Sequence, residues 1–179
     1  MSDDLIERAK KIRLVLLDVD GVLTDGTVVM HGDGTESKQF FIRDGAGIVW
    51  AMRAGLTIGL LSARESATTN QRAAQLGIRI VAQGVTSKAD EYTRIIGELG
   101  LDDEQVAYMG DDVLDVPVLS RVGLAAVPAD SVVEARAHAH WTSAYAGGRG
   151  AVREFLELIL DAQERWAGVV RELSESDAP

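Results

Sequence analysis

An α/β fold built on a parallel sheet flanked by helices is what this sequence predicts, and three observations predict it. Short apolar runs alternate with stretches of helical periodicity along most of the chain, the pattern of strands joined by helical crossovers. Gly55, Gly77 and Gly100 each follow such a helical stretch, where a left-handed C-cap is expected. The third observation is Leu14-Val15-Leu16-Leu17-Asp18-Val19-Asp20-Gly21. Four apolar residues read as a buried strand that carries two carboxylates to its C-terminal end, with a glycine to turn the backbone. Open α/β sheets bind their ligands beyond the carboxyl ends of the strands.

In chain order, residues 1–11 form a charged, amphipathic start and 12–17 the first strand. Extended runs over 26–30 and 35–42 flank His31-Gly32-Asp33-Gly34, a hairpin turn signal, and this hairpin should project over the double-aspartate loop. Further strands are expected over 57–61, 79–81, 105–109 and 124–127, with helices over 45–54, 65–76, 88–99 and 113–121. A last long helix begins near Gly150 and lines up Val152, Phe155, Leu156, Ile159, Leu160 and Trp166 as one apolar stripe. Residues 1–173 are expected to form one domain and the acidic tail 174–179 to be disordered.

Composition removes several classes of function. Lys and Arg total 18 against 28 Asp and Glu, a net charge of −10, so there is no basic surplus for a nucleic acid or an anionic membrane. An anionic small substrate stays open, because a few cations gathered in a cleft with a divalent metal make a local positive field. The chain has no cysteine, which rules out disulfides and a thiolate nucleophile. No run approaches the roughly 18 apolar residues that span a bilayer, and the N-terminal residues lack the apolar core of a signal peptide. The expectation is a soluble cytoplasmic protein.

Three further strand ends bear groups that match the two aspartates. Ser62 follows the 57–61 strand, where its hydroxyl and the nearby amides suit a phosphate oxygen; alone, it reads equally as an N-cap. Lys88 opens a helix, a position the macrodipole disfavours for a cation unless an anion meets it. Gly110-Asp111-Asp112 with Asp115 crowds carboxylates at another strand end, where they repel unless a cation is present. Magnesium prefers such a setting, with few carboxylates and phosphate oxygens. Asp111 is the natural partner of Asp18, while Asp112 and Asp115 suit supporting or capping roles about as well as ligation. His31, His138 and His140 form no convincing metal group, and Trp50, Trp141 and Trp166 read as packing residues.

Asp18-Val19-Asp20-Gly21, Ser62, Lys88 and Gly110-Asp111-Asp112 resemble, in order, the four motifs of the haloacid dehalogenase-like superfamily. Phe41-Ile42-Arg43-Asp44-Gly45-Ala46-Gly47, Gln83-Gly84 and Ala146-Gly147-Gly148-Arg149-Gly150-Ala151 extend the likeness to the family of 3-deoxy-D-manno-octulosonate 8-phosphate phosphatases, over residues 11–162. The resemblance implies a Rossmann-like three-layer sandwich with no cap domain, a short β-hairpin flap, and a homotetramer in which a neighbour helps close the site. It implies Mg2+ held by Asp18, the Asp20 main-chain carbonyl and Asp111. Asp18 would be the nucleophile, Asp20 the acid and base, and Ser62 and Lys88 the phosphoryl ligands. A phosphorylated keto-deoxy sugar acid would be met by Asp20, Phe41, Ile42, Arg43, Asp44, Gly45, Arg64, Arg72 and Lys88. Arg64 and Arg72 lie two helical turns apart, near one face if the helix starts at Arg64.

One departure is Ser62-Ala63-Arg64, where the family usually has glycine in the middle. Phosphatases of nine-carbon keto-deoxy sugar 9-phosphates resemble this chain too, but tend to carry an acid at the Arg64 position. That 9-phosphate remains the alternative substrate. A non-catalytic assembly module is a third reading; it would be expected to lose one of Asp18, Asp20 or Asp111, and this chain keeps all three.

Overall fold

In the computed structural model, residues 2–176 are described. The chain runs α1 (Asp3–Lys10), β1 (Leu14–Leu17), β2 (Val29–Met30), β3 (Glu36–Ser37), α2 (Ile42–Arg53), β4 (Thr57–Leu61), α3 (Ala67–Leu76), β5 (Ile80–Ala82) and α4 (Lys88–Leu99). It continues through β6 (Val106–Met109), α5 (Val116–Leu119), β7 (Leu124–Val127), α6 (Val133–Arg136), β8 (Trp141–Thr142), α7 (Ala151–Ala162) and α8 (Trp166–Ser176).

Six strands form one parallel sheet in the order β5-β4-β1-β6-β7-β8. Every residue of β1, β6 and β7 is buried, which explains why these segments read as unbroken apolar runs rather than alternating ones. Alternation nevertheless sorts their side chains. Val15 and Leu17 join Ile48, Val152, Phe155 and Ile159 under α1, α2 and α7, while Leu14 and Leu16 join Tyr92, Ile95 and Val118 under α4 and α5. The result is a helix–sheet–helix sandwich with an apolar core on each face.

The chain leaves β1 for β4 and β5 on one side, then returns to β6 on the other. This reversal opens a crevice at the C-terminal end of β1, the usual ligand position in such sheets.

Several expected elements change on folding. The hairpin pairs only Val29 with Ser37 and Met30 with Glu36, because the exposed flap has no apolar face to extend it. Ile42 belongs to α2 and not to the flap, with Phe41 as the extended residue before that helix. The helix expected over 113–121 is a 3-10 turn, Val113–Asp115, followed by the four-residue α5. Asp115 pulls that turn tight by accepting the amide hydrogens of Asp111 and Asp112.

The C-terminal stripe is split between two helices. α7 ends at Ala162, Glu164 takes φ 57°, and Trp166 starts α8. Gln163 drives the break by donating its side-chain amide to the Ala9 and Ile12 carbonyls. Trp166 then returns to Trp50 at 6.0 Å, with the Arg153 guanidinium over both rings. The tail expected to be disordered is helical through Ser176, and 177–179 lie outside the described residues.

Candidate active site

Four strand ends converge. Asp18 extends β1 by donating its backbone N–H to the Met109 carbonyl at 3.0 Å, so its side chain emerges at the sheet's C-terminal edge. Ser62 leaves β4, its amide bonded to the Ala82 carbonyl and its buried hydroxyl accepting the Arg64 amide hydrogen at 3.3 Å. Gly110 carries Asp111 away from β6. Lys88, the first residue of α4, brings a cation from behind. Its helix is capped by Ser87, whose hydroxyl accepts the Asp90 amide hydrogen.

The Lys88 ammonium lies 3.0 Å from Asp18 Oδ2 and 2.5 Å from Asp115 Oδ1. It also donates to the Tyr108 hydroxyl at 3.2 Å, and that hydroxyl donates onward to Asp115 Oδ1 at 2.5 Å. Burial alone would pull the lysine pKa down, but the Asp18 and Asp115 charges outweigh it and raise it. Lys88 is therefore a permanent cation. Tyr108 is fully buried, and burial together with the Asp115 charge raises its pKa well above the usual phenol value; it stays a neutral hydroxyl.

Asp18, Asp111 and Asp115 present carboxylate oxygens within 4.8 Å of one another. Burial, then the Asp115 charge, pushes the Asp18 pKa up to about 7. Burial, then the Asp18 charge, pushes Asp111 up to about 8. Three crowded carboxylates against the single Lys88 cation leave room for a further cation.

The three carboxylates are not equivalent. Asp115 spends one oxygen on Lys88 and Tyr108 and the other on the amides of Asp111 and Asp112, 2.8 and 3.1 Å away. It has no oxygen left over. Asp111 Oδ1 is buried with no hydrogen-bond partner among the described residues, a costly arrangement unless a ligand completes it. Asp111 is also pressed against the Asp18–Asp20 loop: a Cβ on Gly21 would lie 2.1 Å from its Oδ2, and Gly21 has φ +91°. Among the described residues no backbone N–H donates to the Asp20 carbonyl. Asp18, Asp111 and that carbonyl are hard oxygen donors that suit magnesium; Asp115 is their brace.

Asp112 stands exposed and caps the 3-10 turn, accepting the Val113 amide hydrogen at 2.6 Å. The expected substrate contacts divide. Arg64 is in the loop before α3, not on the helix, and pairs with Glu36 of the flap, so the two arginines do not share a helical face. Arg72 lies over the Phe40 ring at 5.7 Å, its guanidinium in the space a Cβ on Gly45 would fill. Ile42 and Arg43 are exposed, and Phe41 is half-buried. Asp44 is turned inward: its carboxylate accepts the amide hydrogens of Gly150 and Arg153 at 3.2 and 2.8 Å, capping α7. Its burial pushes its pKa up to about 6. Each of its oxygens thus accepts an amide hydrogen at the start of α7.

Three features were not apparent in the sequence. Lys38 reaches from the flap to Asp20, 2.7 and 2.9 Å from its two oxygens. Tyr108 looks like one more core residue of an apolar strand. The loop at Gly147 packs beneath the aspartate loop, since a Cβ there would meet the Gly21 carbonyl oxygen at 1.8 Å and Gly148 donates to the Val22 carbonyl. The histidines are used structurally: His31 meets Ser37, His138 meets Ser120, and His140 accepts the Ala125 amide hydrogen.

A parallel six-stranded sheet at whose carboxyl edge an aspartate pair, a lysine and a third aspartate gather defines a haloacid dehalogenase-like hydrolase. The model of that family matches residues 56–156, and the chain belongs to the family. More particularly, the sequence is 40% identical over 168 residues to the 3-deoxy-D-manno-octulosonate 8-phosphate phosphatase KdsC of Yersinia pestis, covering 94% of this chain and 90% of that protein. The crystal structure of the 3-deoxy-D-manno-octulosonate 8-phosphate phosphatase of Moraxella catarrhalis, in complex with magnesium, phosphate and KDO, has a TM-score of 0.94 to this chain. It is 32% identical, with 97% and 99% of the two chains covered. The cobalt-bound YrbI phosphatase of Haemophilus influenzae has a TM-score of 0.86 at 34% identity, covering 89% of this chain and 94% of that one.

Proposed function

We propose that this chain is a magnesium-dependent phosphatase that hydrolyses 3-deoxy-D-manno-octulosonate 8-phosphate to the free sugar and phosphate. The observation that carries the chemistry is the buried Lys88–Asp18 contact beside an Asp111 oxygen with no hydrogen-bond partner among the described residues. The relatives named above supply the substrate.

Asp18 attacks phosphorus, and the bond to the sugar oxygen breaks as an aspartyl-phosphate forms. Asp20 gives a proton to the departing oxygen, then takes one from the water that attacks the aspartyl-phosphate, releasing phosphate and restoring Asp18. Lys88 and Ser62 hold the phosphoryl oxygens where negative charge spreads in the transition state. Asp18, the Asp20 carbonyl and Asp111 would hold magnesium, which would supply charge cancellation and polarisation of the phosphoryl group. The substrate carboxylate suits the guanidinium forks of Arg64 and Arg72.

A homotetramer fits the flap, whose Val29 and Met30 are 50% and 65% exposed and would be covered by a neighbouring copy. No helix among the described residues is long and apolar enough to cross a membrane, which accords with a cytoplasmic site of action.

The test is magnesium-dependent phosphate release from the 8-phosphate and the nine-carbon 9-phosphate sugars, with Asp18→Asn alongside. The 8-phosphate is expected to be preferred, and Asp18→Asn to lose on the order of a thousandfold or more in rate, about 4 kcal/mol of barrier. Preference for the 9-phosphate would move the substrate, and full activity in Asp18→Asn would refute the mechanism.

A further inference from the structure

The flap carries two charges on one face. Glu36 and Lys38 stand at alternate positions and point the same way, while Ser37 between them turns outward to His31 at 2.8 Å. Glu36 is moored to the start of α3: its carboxylate accepts the Ser66 hydroxyl at 2.5 Å and pairs with Arg64, and Thr68 donates to its backbone carbonyl at 3.4 Å. That mooring sets the height of the flap above the sheet edge. From there Lys38 descends to Asp20.

The Lys38 contact is unusually enclosed for a residue that directly follows a two-residue hairpin strand. Its side chain is 1% exposed against 23% for Asp20, and its ammonium lies within 3 Å of both carboxylate oxygens. Asp20 is its ion-pair partner, and among the described residues it has no other. An enclosed ammonium facing a single carboxylate leaves that carboxylate one favoured orientation. Asp20 sits on a loop whose backbone is pinned by the Val19 carbonyl and by Gly147, yet nothing else described holds its side chain.

We propose that Lys38 is a positioning residue for Asp20. From the flap it fixes the Asp20 carboxylate in the direction needed to pass a proton to the leaving oxygen, so that a seated flap is a condition of that transfer. The inference rests on the phosphatase reading above and deepens it. Lys38 neither bonds to phosphorus nor moves a proton; it acts through Asp20.

Leaving groups separate this role from a structural one. A sugar alkoxide leaves only with a proton, whereas a nitrophenolate leaves without one, and a positioned acid contributes typically about 10²–10⁴-fold to the former. The experiment compares Lys38→Met with the native protein on 3-deoxy-D-manno-octulosonate 8-phosphate, on glucose 6-phosphate and on p-nitrophenyl phosphate, all with magnesium. We expect kcat/KM, which ends at departure of the leaving group and so excludes the aspartyl-phosphate hydrolysis that all three substrates share, to fall on the order of a hundredfold on the sugar phosphates and by less than about threefold on the aryl phosphate, with Lys38→Arg recovering part of the loss because its fork also holds a carboxylate. Retained aryl phosphatase activity also shows that the variant folds. An equal loss on all three substrates, or no loss on any, overturns the proposal. Failure of the reading beneath it looks different: a native protein that turns over glucose 6-phosphate but not the 8-carbon sugar loses its substrate assignment, while the alkyl-to-aryl comparison still decides Lys38.

Discussion

Asp115 never needs to touch a phosphate to matter. Its two oxygens accept from Lys88, Tyr108 and two backbone amides, and it is fully buried. Removing it leaves the Lys88 ammonium with Asp18 as its one carboxylate partner among the described residues, and strands the two amides that shape the turn carrying Asp111. Asp115→Ala is therefore expected to destabilise the fold by about 3–5 kcal/mol, the range for breaking a buried ion pair. Denaturant midpoints at constant slope check this, and a loss under about 1 kcal/mol, the surface-pair range, would show that Asp115 is dispensable. At this scale the gathering of Asp18, Asp111 and Lys88 was legible, because the two aspartates are charges at the ends of apolar strands and Lys88 is a cation at the start of a helix. Tyr108 was not, since an aromatic in a buried strand looks the same whether its hydroxyl is used or idle. Lys38 was not either, because a lysine in a hairpin is usually solvated. The cap that Asp44 makes was not legible for the converse reason: the partners of its carboxylate, the Gly150 and Arg153 amides, are more than a hundred residues away in sequence.

At the scale of elements, the site depends on a loop far away in sequence. Residues 146–150 pass under the Asp18–Asp20 turn so closely that a methyl on Gly147 would overlap the Gly21 carbonyl oxygen. Gly147 further fixes the passage by donating its amide to Asp130 at 2.9 Å. Gly147→Ala is expected to cost about 1–3 kcal/mol by overpacking and to displace the aspartate loop, so that kcat falls with KM little changed. A crystal structure or unfolding curve indistinguishable from the native protein's would refute this. The strands and the helices α3 and α4 were readable from period and caps, with Gly77 and Gly100 left-handed at their helix ends as expected. The break between α7 and α8 was not readable. It comes from Gln163 reaching α1, and a contact between residues so far apart leaves no local periodicity to detect.

Over the whole molecule, the carboxylate cluster links stability to both protons and metal. Burial and the charge of a neighbouring aspartate push Asp18 and Asp111 up to about 7 and about 8 in the folded chain, against 3.8 for a free aspartate. A carboxyl raised by folding contributes its stability in full below its unfolded pKa and loses it as pH climbs through the folded one. Without divalent cation these two groups therefore weaken the fold progressively from about pH 4 to about pH 8. A bound cation needs both groups ionised, so its affinity rises over the same window, and each tenfold gain adds about 1.4 kcal/mol at a fixed excess of metal. The rise in melting temperature caused by magnesium is expected to be larger near pH 8.5 than near pH 6, and to shrink in Asp111→Asn. Thermal melts with and without the metal decide it; a shift independent of pH would mean that the metal does not compete with protons at these two groups.

By itself the sequence determined the sandwich, the order of its strands along the chain, and the charged residues at their carboxyl ends. Those follow from hydrophobic period, glycine caps and charge next to apolar runs, all written locally. Only the tertiary structure decided which of the crowded carboxylates is spent and which is free, that the flap delivers Lys38 to Asp20, and that Asp44 serves α7. The reason is physical. A side chain's role depends on what its last polar atom meets, and in a parallel sheet those partners arrive from strands and loops tens of residues away.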